Sequence, residues 1–250
     1  KIYLSDNILK DTIKSLPQFI GTNGKFSEQL YRNSIKRNHT ATHLLHASLK
    51  TVLGDHIQQA GSLVHSKYLR FDLTYFKKIT ADEIRSIEKL VNSQILINKG
   101  LEISVKSYDE AINDGVVALF GEKYGETVRV VSTGEFSNEL CGGTHVDSTG
   151  DIGMFKIIEE SSLASGIRRI VAITGNTALE VFQNKSDILS NIQLQLNCKE
   201  EELLSRISQL YNDKKKLDKK IKELSQTNES DISQWINNSQ NVGEYKFIIE

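Results

Sequence analysis

The chain has 250 residues, 38% of them hydrophobic and 25% charged, with a formal net charge of -1. That length and balance suit a soluble globular protein with one large or two smaller domains, and exclude a global basic field, so a nucleic-acid partner would have to be met by local patches. No apolar stretch is long enough to span a bilayer, the first segment is polar rather than a signal peptide, and Cys141 and Cys198 do not make a disulfide framework, which points to a reducing, cytoplasmic setting.

Residues 1 to 26 have little periodicity, contain Pro17 and read as a linker or the remnant of a preceding domain. Helical patterning starts near Ser27, a candidate N-cap, and runs through Leu30, Tyr31, Ile35, Leu45, Leu49 and Val52 to a stop at Gly54. "GSLVHSKYLRFDLTYF" alternates Leu69, Phe71 and Leu73 and predicts two strands joined by a short turn. "TADEIRSIEKLVNSQILINKG" predicts an amphipathic helix capped by Thr80 and ended by Gly100. "LEISVKSY" and "TVRVVSTG" alternate like strands, and "DIGMFKIIEES" with "GIRRIVAIT" reads as a hairpin. This mixed order predicts an α+β domain over residues 27 to 176, with antiparallel sheet.

Beyond it, Leu203, Leu210, Leu217 and Leu224 repeat every seven residues, with Ile207, Lys214 and Ile221 at the other seam position. A preceding helix carries Val181, Ile188, Leu189 and Ile192 on one stripe, so residues 177 to 228 predict an antiparallel helical hairpin with a heptad pattern. Residues 229 to 250 then read as a linker and the start of a truncated C-terminal domain. The missing initial Met and the closing "YKFIIE", which reads as a strand cut short, predict a piece of a longer protein.

Chemistry concentrates in two short stretches. His39 and His43 in "RNHTATHLLH" are spaced i, i+4 on a predicted helix and share one face, the spacing by which a helix offers two imidazoles to one ion. Cys141 and His145 in "CGGTH" supply two more ligands about one hundred residues later, with Gly142 and Gly143 letting the backbone bend. Three nitrogens and one thiolate favour Zn2+. Each pair by itself has a plainer reading, a surface histidine pair or an inert packed cysteine; together they favour a metal. His46, three residues after His43, is expected to pack or to support the site from outside it. Asp147 and Glu139 flank the loop and could steady the histidines, but surface charge is the stronger expectation for both. Arg168 and Arg169 alternate on one strand and face opposite ways, one toward phosphate or substrate and the other solvated or paired.

With these residues in place the chain resembles a known family. "RNHTATHLLHASL", "QQAGSLV", "LRFDLTYF", "ALFGEKYG", "ELCGGTHV" and "SGIRRIVAITG" stand in the order found in the editing domain of alanyl-tRNA synthetases, over about residues 35 to 182. Related motifs occur in free-standing alanyl-tRNA deacylases and in threonyl-tRNA synthetases; the "CGGTH" form is similar to the alanyl type. Residues 177 to 225 resemble the helical hairpin that follows that domain, whereas residues 1 to 26 depart from the family's pattern.

The resemblance implies zinc held by His39, His43, Cys141 and His145. It implies an amino-acid pocket involving Thr42 and Gln59, the candidate catalytic positions, and Gly142, Gly143, Arg168 and Arg169 as candidate substrate or tRNA contacts. It implies hydrolysis of serine or glycine wrongly esterified to tRNA(Ala), with that tRNA and the rest of the synthetase chain as partners, and neither membrane nor DNA. ATP-dependent aminoacylation belongs to a part not present in these residues. The alternatives are a free-standing deacylase and a tRNA-binding module with a structural zinc. No nucleophile motif such as GxSxG is present, so direct attack by water is the expected course.

Overall fold

A computed structural model describes residues 24–118 and 124–247. Most of the predicted N-terminal linker and the middle of "ALFGEKYG" therefore lie outside the described residues. The chain divides into two compact units, Lys1–Gln183 and Asn184–Glu250.

The first unit opens with α1 (Gly24–Leu53), which begins before Ser27, so Ser27 lies inside the helix rather than capping it. Gly54 ends it with φ of 116°, as the pattern predicts. Strands β1 (Gln59–Val64) and β2 (Leu69–Thr74) follow as an antiparallel hairpin. Helix α2 (Ala81–Ile97) has a complete capping box, Thr80 with Glu83. It stops earlier than Gly100, because Asn98 takes the left-handed conformation and sends its N–H back to Ile95. Next come β3 (Glu102–Ser107), the short α3 (Tyr108–Asn113), β4 (Thr127–Ser132) and β5 (Asn138–Leu140). A 3-10 turn at Thr149–Ile152 leads into β6 (Phe155–Ala164) and β7 (Ile167–Thr174), the predicted hairpin.

All strand pairings within the two sheets of this unit are antiparallel. The larger sheet has the order β1-β2-β7-β6 and the smaller β3-β4-β5. Alternation on β2 aims Leu69, Phe71 and Leu73 into a core shared with Leu44, Leu45 and Leu49 of α1, Ile87 and Val91 of α2, and Phe155 and Ile170 of the β6–β7 hairpin. Burying a side chain such as Phe71 contributes roughly 1.5–3 kcal/mol. A smaller cluster of Ala111, Val116, Val128, Val130 and Leu140 backs the second sheet.

The lie of α1 matters most for the site. The Asn38 amide donates to the carbonyl of His65 at 2.6 Å, and Asn38 Oδ1 accepts from the Thr174 hydroxyl at 2.7 Å. One buried side chain thus ties α1 to the β1–β2 turn and to the end of β7, and fixes the helix rotation that aims its histidines.

Helix α4 (Gly175–Leu196) runs from the first unit into the second. Asn197 turns left-handed with φ of 45°, and α5 (Leu203–Asn237) follows a 3-10 turn at Glu200–Glu202. Helix α5 is longer than the heptads predict and continues into the segment expected to be linker. It is followed by a small hairpin, β8 (Gln240–Val242) with β9 (Tyr245–Phe247). The predicted hairpin core does not close: Leu210, Leu217 and Leu224 are 46%, 60% and 58% exposed, and Ile188 and Ile192 on α4 are uncovered too. The heptad marks an apolar face, but these residues do not bury it.

Candidate metal centre

Helix α1 and the loop after β5 bring four predicted ligands together. The ligand atoms of His39, His43, Cys141 and His145 all lie within 4.8 Å of one another. Cys141 Sγ is 3.4 Å from His39 Nε2 and 3.4 Å from His145 Nε2. A tetrahedral zinc with Zn–S of about 2.3 Å and Zn–N of about 2.0 Å sets sulfur and nitrogen about 3.5 Å apart. The donor set and its spacing fit that ion. His43 and His145 are buried while His39 and Cys141 are half-buried, so the cluster opens to the surface on one side.

The neighbours dictate which ring nitrogen each histidine offers. Thr40 Oγ1 donates to the Lys36 carbonyl at 3.0 Å and accepts the Val146 N–H at 3.2 Å. A hydroxyl has one proton and two lone pairs, so its contact with His145 Nδ1 at 3.1 Å has to be donated by the ring. The proton is on Nδ1, and Nε2 keeps its lone pair toward Cys141. His39 Nδ1 meets the Thr144 carbonyl at 3.2 Å, an acceptor only, with the same consequence.

Burial keeps the rings neutral, as ligation requires. It pulls His39 down to about 4, aided by neighbouring His43 and opposed by the bond to Thr144. It pulls His145 down to about 2, with His39, His43 and Arg129 adding to the effect. His43 is lowered chiefly by burial.

The two loop glycines are not equivalent. Neither has positive φ, so a left-handed bend is not their purpose. A Cβ on Gly143 would lie 2.0 Å from His39 Cε1, whereas one on Gly142 would meet nothing within 4 Å. Gly143 is required because the backbone passes against a ligand ring. Arg129 on β4 holds the same loop: its Nη1 donates to the carbonyls of Cys141 and Gly143, each at 2.7 Å, while the Cys141 N–H donates to the Arg129 carbonyl at 2.9 Å. Arg129 and Thr40 carried no spacing signal; the one hint was an arginine between valines on a half-buried strand.

Other candidates fall in different places. Thr42 is buried, and its hydroxyl donates to the Asn38 carbonyl at 2.8 Å. Gln59 opens β1 opposite Leu73, beside a register shift, and among the described residues its side chain makes no hydrogen bond to the four ligands. Arg168 pairs with Glu160, its Nε donating at 2.6 Å, and Arg169 makes a forked pair with Asp72 at 2.7 and 2.8 Å. Both arginines are thus paired, so neither is simply solvated. Glu139, expected at the surface, is 5% exposed and accepts from His46 Nδ1 at 3.1 Å. Asp147 uses its backbone carbonyl to accept from Leu101. Among the described residues no helix is long and apolar enough to cross a membrane.

Comparison with known proteins agrees with the cluster. The pattern of the Threonyl and Alanyl tRNA synthetase second additional domain matches residues 128–171, which include Cys141 and His145. The alanine–tRNA ligase of Fervidobacterium nodosum is 48% identical over 197 residues, which cover 79% of this chain and 23% of that protein. Those of Thermotoga sp. strain RQ2 and Thermotoga maritima are 53% and 52% identical over 190 residues, each covering 76% of this chain and 22% of theirs. The chain thus spans less than a quarter of the length of the curated relatives it matches. On this sequence similarity, the chain belongs to the alanyl-tRNA synthetase family, in the stretch bearing the second additional domain shared with threonyl enzymes.

Proposed function

We propose that this chain is the editing part of an alanine–tRNA ligase and hydrolyses the ester that joins serine or glycine to tRNA(Ala). The observation that carries the reading is the convergence of His39, His43, Cys141 and His145 on one zinc-sized position that opens to the surface. Selectivity gives the reason for a second, hydrolytic site. Alanine exceeds glycine by one methyl group, which a pocket distinguishes by only about 1–3 kcal/mol, and serine merely adds a hydroxyl. The parent enzyme joins alanine to tRNA(Ala) with ATP in a part outside these residues, and the cytoplasm is where that substrate is found.

Bound zinc would supply a Lewis acid or a positioning charge at the ester. The chain's own residues hold that ion: Thr40 and the Thr144 carbonyl fix the tautomers of His145 and His39, and Arg129 holds the loop. We assign Thr42 and Gln59 to the amino-acid pocket, and the rim at Gly142 and Gly143 to the tRNA terminus. Arg168 and Arg169 would have to divide their N–H donors between any phosphate and the carboxylates of Glu160 and Asp72. The heptad face of α5 is assigned to coiled-coil packing with the rest of the synthetase.

One observation favours a second reading. Four protein ligands fill a tetrahedral zinc, as in structural sites. A tRNA-binding module with a structural zinc would bind tRNA(Ala) but leave its esters intact. The test is hydrolysis of Ser-tRNA(Ala) and Gly-tRNA(Ala) by the purified chain, with zinc content measured in parallel. We expect release of serine and glycine, sparing of Ala-tRNA(Ala), and no ATP-dependent charging. Intact esters at full zinc content would establish the structural reading.

A further inference from the structure

Three histidines, not two, lie along one face of α1: His39, His43 and His46. The third does not join the metal cluster. His46 Nδ1 donates to Glu139 Oε1 at 3.1 Å, and the other carboxylate oxygen, Oε2, faces His43 Nδ1 at 3.5 Å. The side chains of His43, Glu139 and His46 are 7%, 6% and 4% exposed, so the row is sealed from water. The backbone of Glu139 is held from two sides, opposite Val131 on β4 and bridged to Val117, and Ser137 Oγ donates to its Oε1 at 3.3 Å. An ionised carboxylate only accepts, so it favours the proton on His43 Nδ1 and leaves Nε2 toward the cluster. Its charge also matters. Zinc with one thiolate and three neutral imidazoles would carry a net single positive charge, and Glu139 is a buried carboxylate directly behind the buried ligand His43.

His46 bears a cost that needs a reason. Its Nε2 is buried with no hydrogen-bond partner among the described residues, and its ring lies against Phe71 at 5.4 Å. An apolar side chain would pack there without that loss. What it would not do is donate to Glu139.

We propose that Glu139 is a positioning residue for the metal: held by His46, it fixes the His43 tautomer and balances the charge of the site. This inference rests on the zinc reading, and its test separates the two. In the purified chain, Glu139→Gln keeps shape but removes charge, and puts an amide N–H where one oxygen stood. Zinc affinity, measured by competition with a chromophoric chelator, is expected to fall about 10- to 100-fold. The ligand-field spectrum of the cobalt-loaded protein is expected to shift. In metal-free protein, 15N resonances of His43 are expected to move from the Nδ1-H tautomer toward a mixture. His46→Ala is expected to give a smaller loss, and the double variant to be no worse than Glu139→Gln alone, because His46 acts through Glu139. Wild-type affinity and an unchanged His43 tautomer in Glu139→Gln would overturn the proposal, as would additive losses. If Glu139→Gln does not fold, Glu139→Asp decides: charge is kept and reach shortened, so reduced affinity supports positioning and wild-type affinity refutes it. A wild-type chain that binds no zinc would refute the metal reading, while the tautomer measurement would still decide whether Glu139 orients His43.

Discussion

Helices α2 and α5 announce themselves in the same way, by apolar residues at helical spacing, yet the molecule treats them oppositely. Ile87, Val91 and Ile95 of α2 are buried, because the fold sets that face on the core. Leu210, Leu217 and Leu224 of α5 stand exposed, because among the described residues the second unit supplies no such cover. Periodicity says which face of a helix is apolar; whether that face is covered depends on what else the chain brings to it. The same contrast separates a first unit that gathers four candidate metal ligands from a second unit whose apolar face stays open among the described residues.

The largest test removes ligands. Cys141→Ala, His145→Ala or His39→Ala should eliminate stoichiometric zinc and reduce hydrolysis of Ser-tRNA(Ala) to background, while the circular dichroism of α5 is unchanged. Full zinc retention by both Cys141→Ala and His39→Ala would dismiss the four-ligand site.

Core truncation should divide the units by stability. Phe71→Ala should cost about 3–5 kcal/mol in chemical denaturation of the first unit. A cost near zero would mean that the shared core is not what sustains it.

Acid should act on the same side of the divide, since all six histidines precede residue 184. In metal-free protein His39 and His145 sit at about 4 and about 2, against the ordinary 6.5. The unfolded chain therefore binds protons that the folded one refuses. Stability present above pH 6.5 should fall as pH drops toward 4, and the residual contribution from His145 toward 2. Denaturation at pH 7 and pH 5 measures it, and a first unit more stable at pH 5 would reverse the sign.

The loop glycines offer a finer cut. Gly143→Ala should lower zinc affinity by about tenfold, the scale for a disturbed ligand orientation, and Gly142→Ala should leave it unchanged. Equal effects would mean that bending, not the His39 ring, explains both.

The smallest effect is expected in α5. Leu210→Asp with Leu217→Asp should change first-unit stability by less than about 0.5 kcal/mol and leave zinc content intact, because exposed positions lose little. Loss of metal in that variant would abolish the separation of the two units.

Much of the chemistry was legible from residue order. The i, i+4 histidines, the Cys-x3-His loop, the cap at Thr80, the strand alternation around Phe71 and the β6–β7 hairpin are local patterns, and local patterns survive without knowledge of the fold. The start of α1 was not legible, because helix continues through Gly24–Ser27 without a cap signal. What only the tertiary structure decided lies between residues far apart in the chain. Glu139 reads as surface charge until β5 carries it to His43 and His46, more than ninety residues away. Arg129 is one cation in a strand until its guanidinium reaches the ligand loop. Gly143 differs from Gly142 only through the ring of His39, and Arg168 and Arg169 are paired by Glu160 and Asp72. Sequence alone determined which groups can bind a metal, because ligand chemistry resides in side-chain type and short spacing. Which protons those ligands carry, and whether an apolar face is covered, depended on distant partners, because hydrogen bonds and burial are contacts in space and not in sequence.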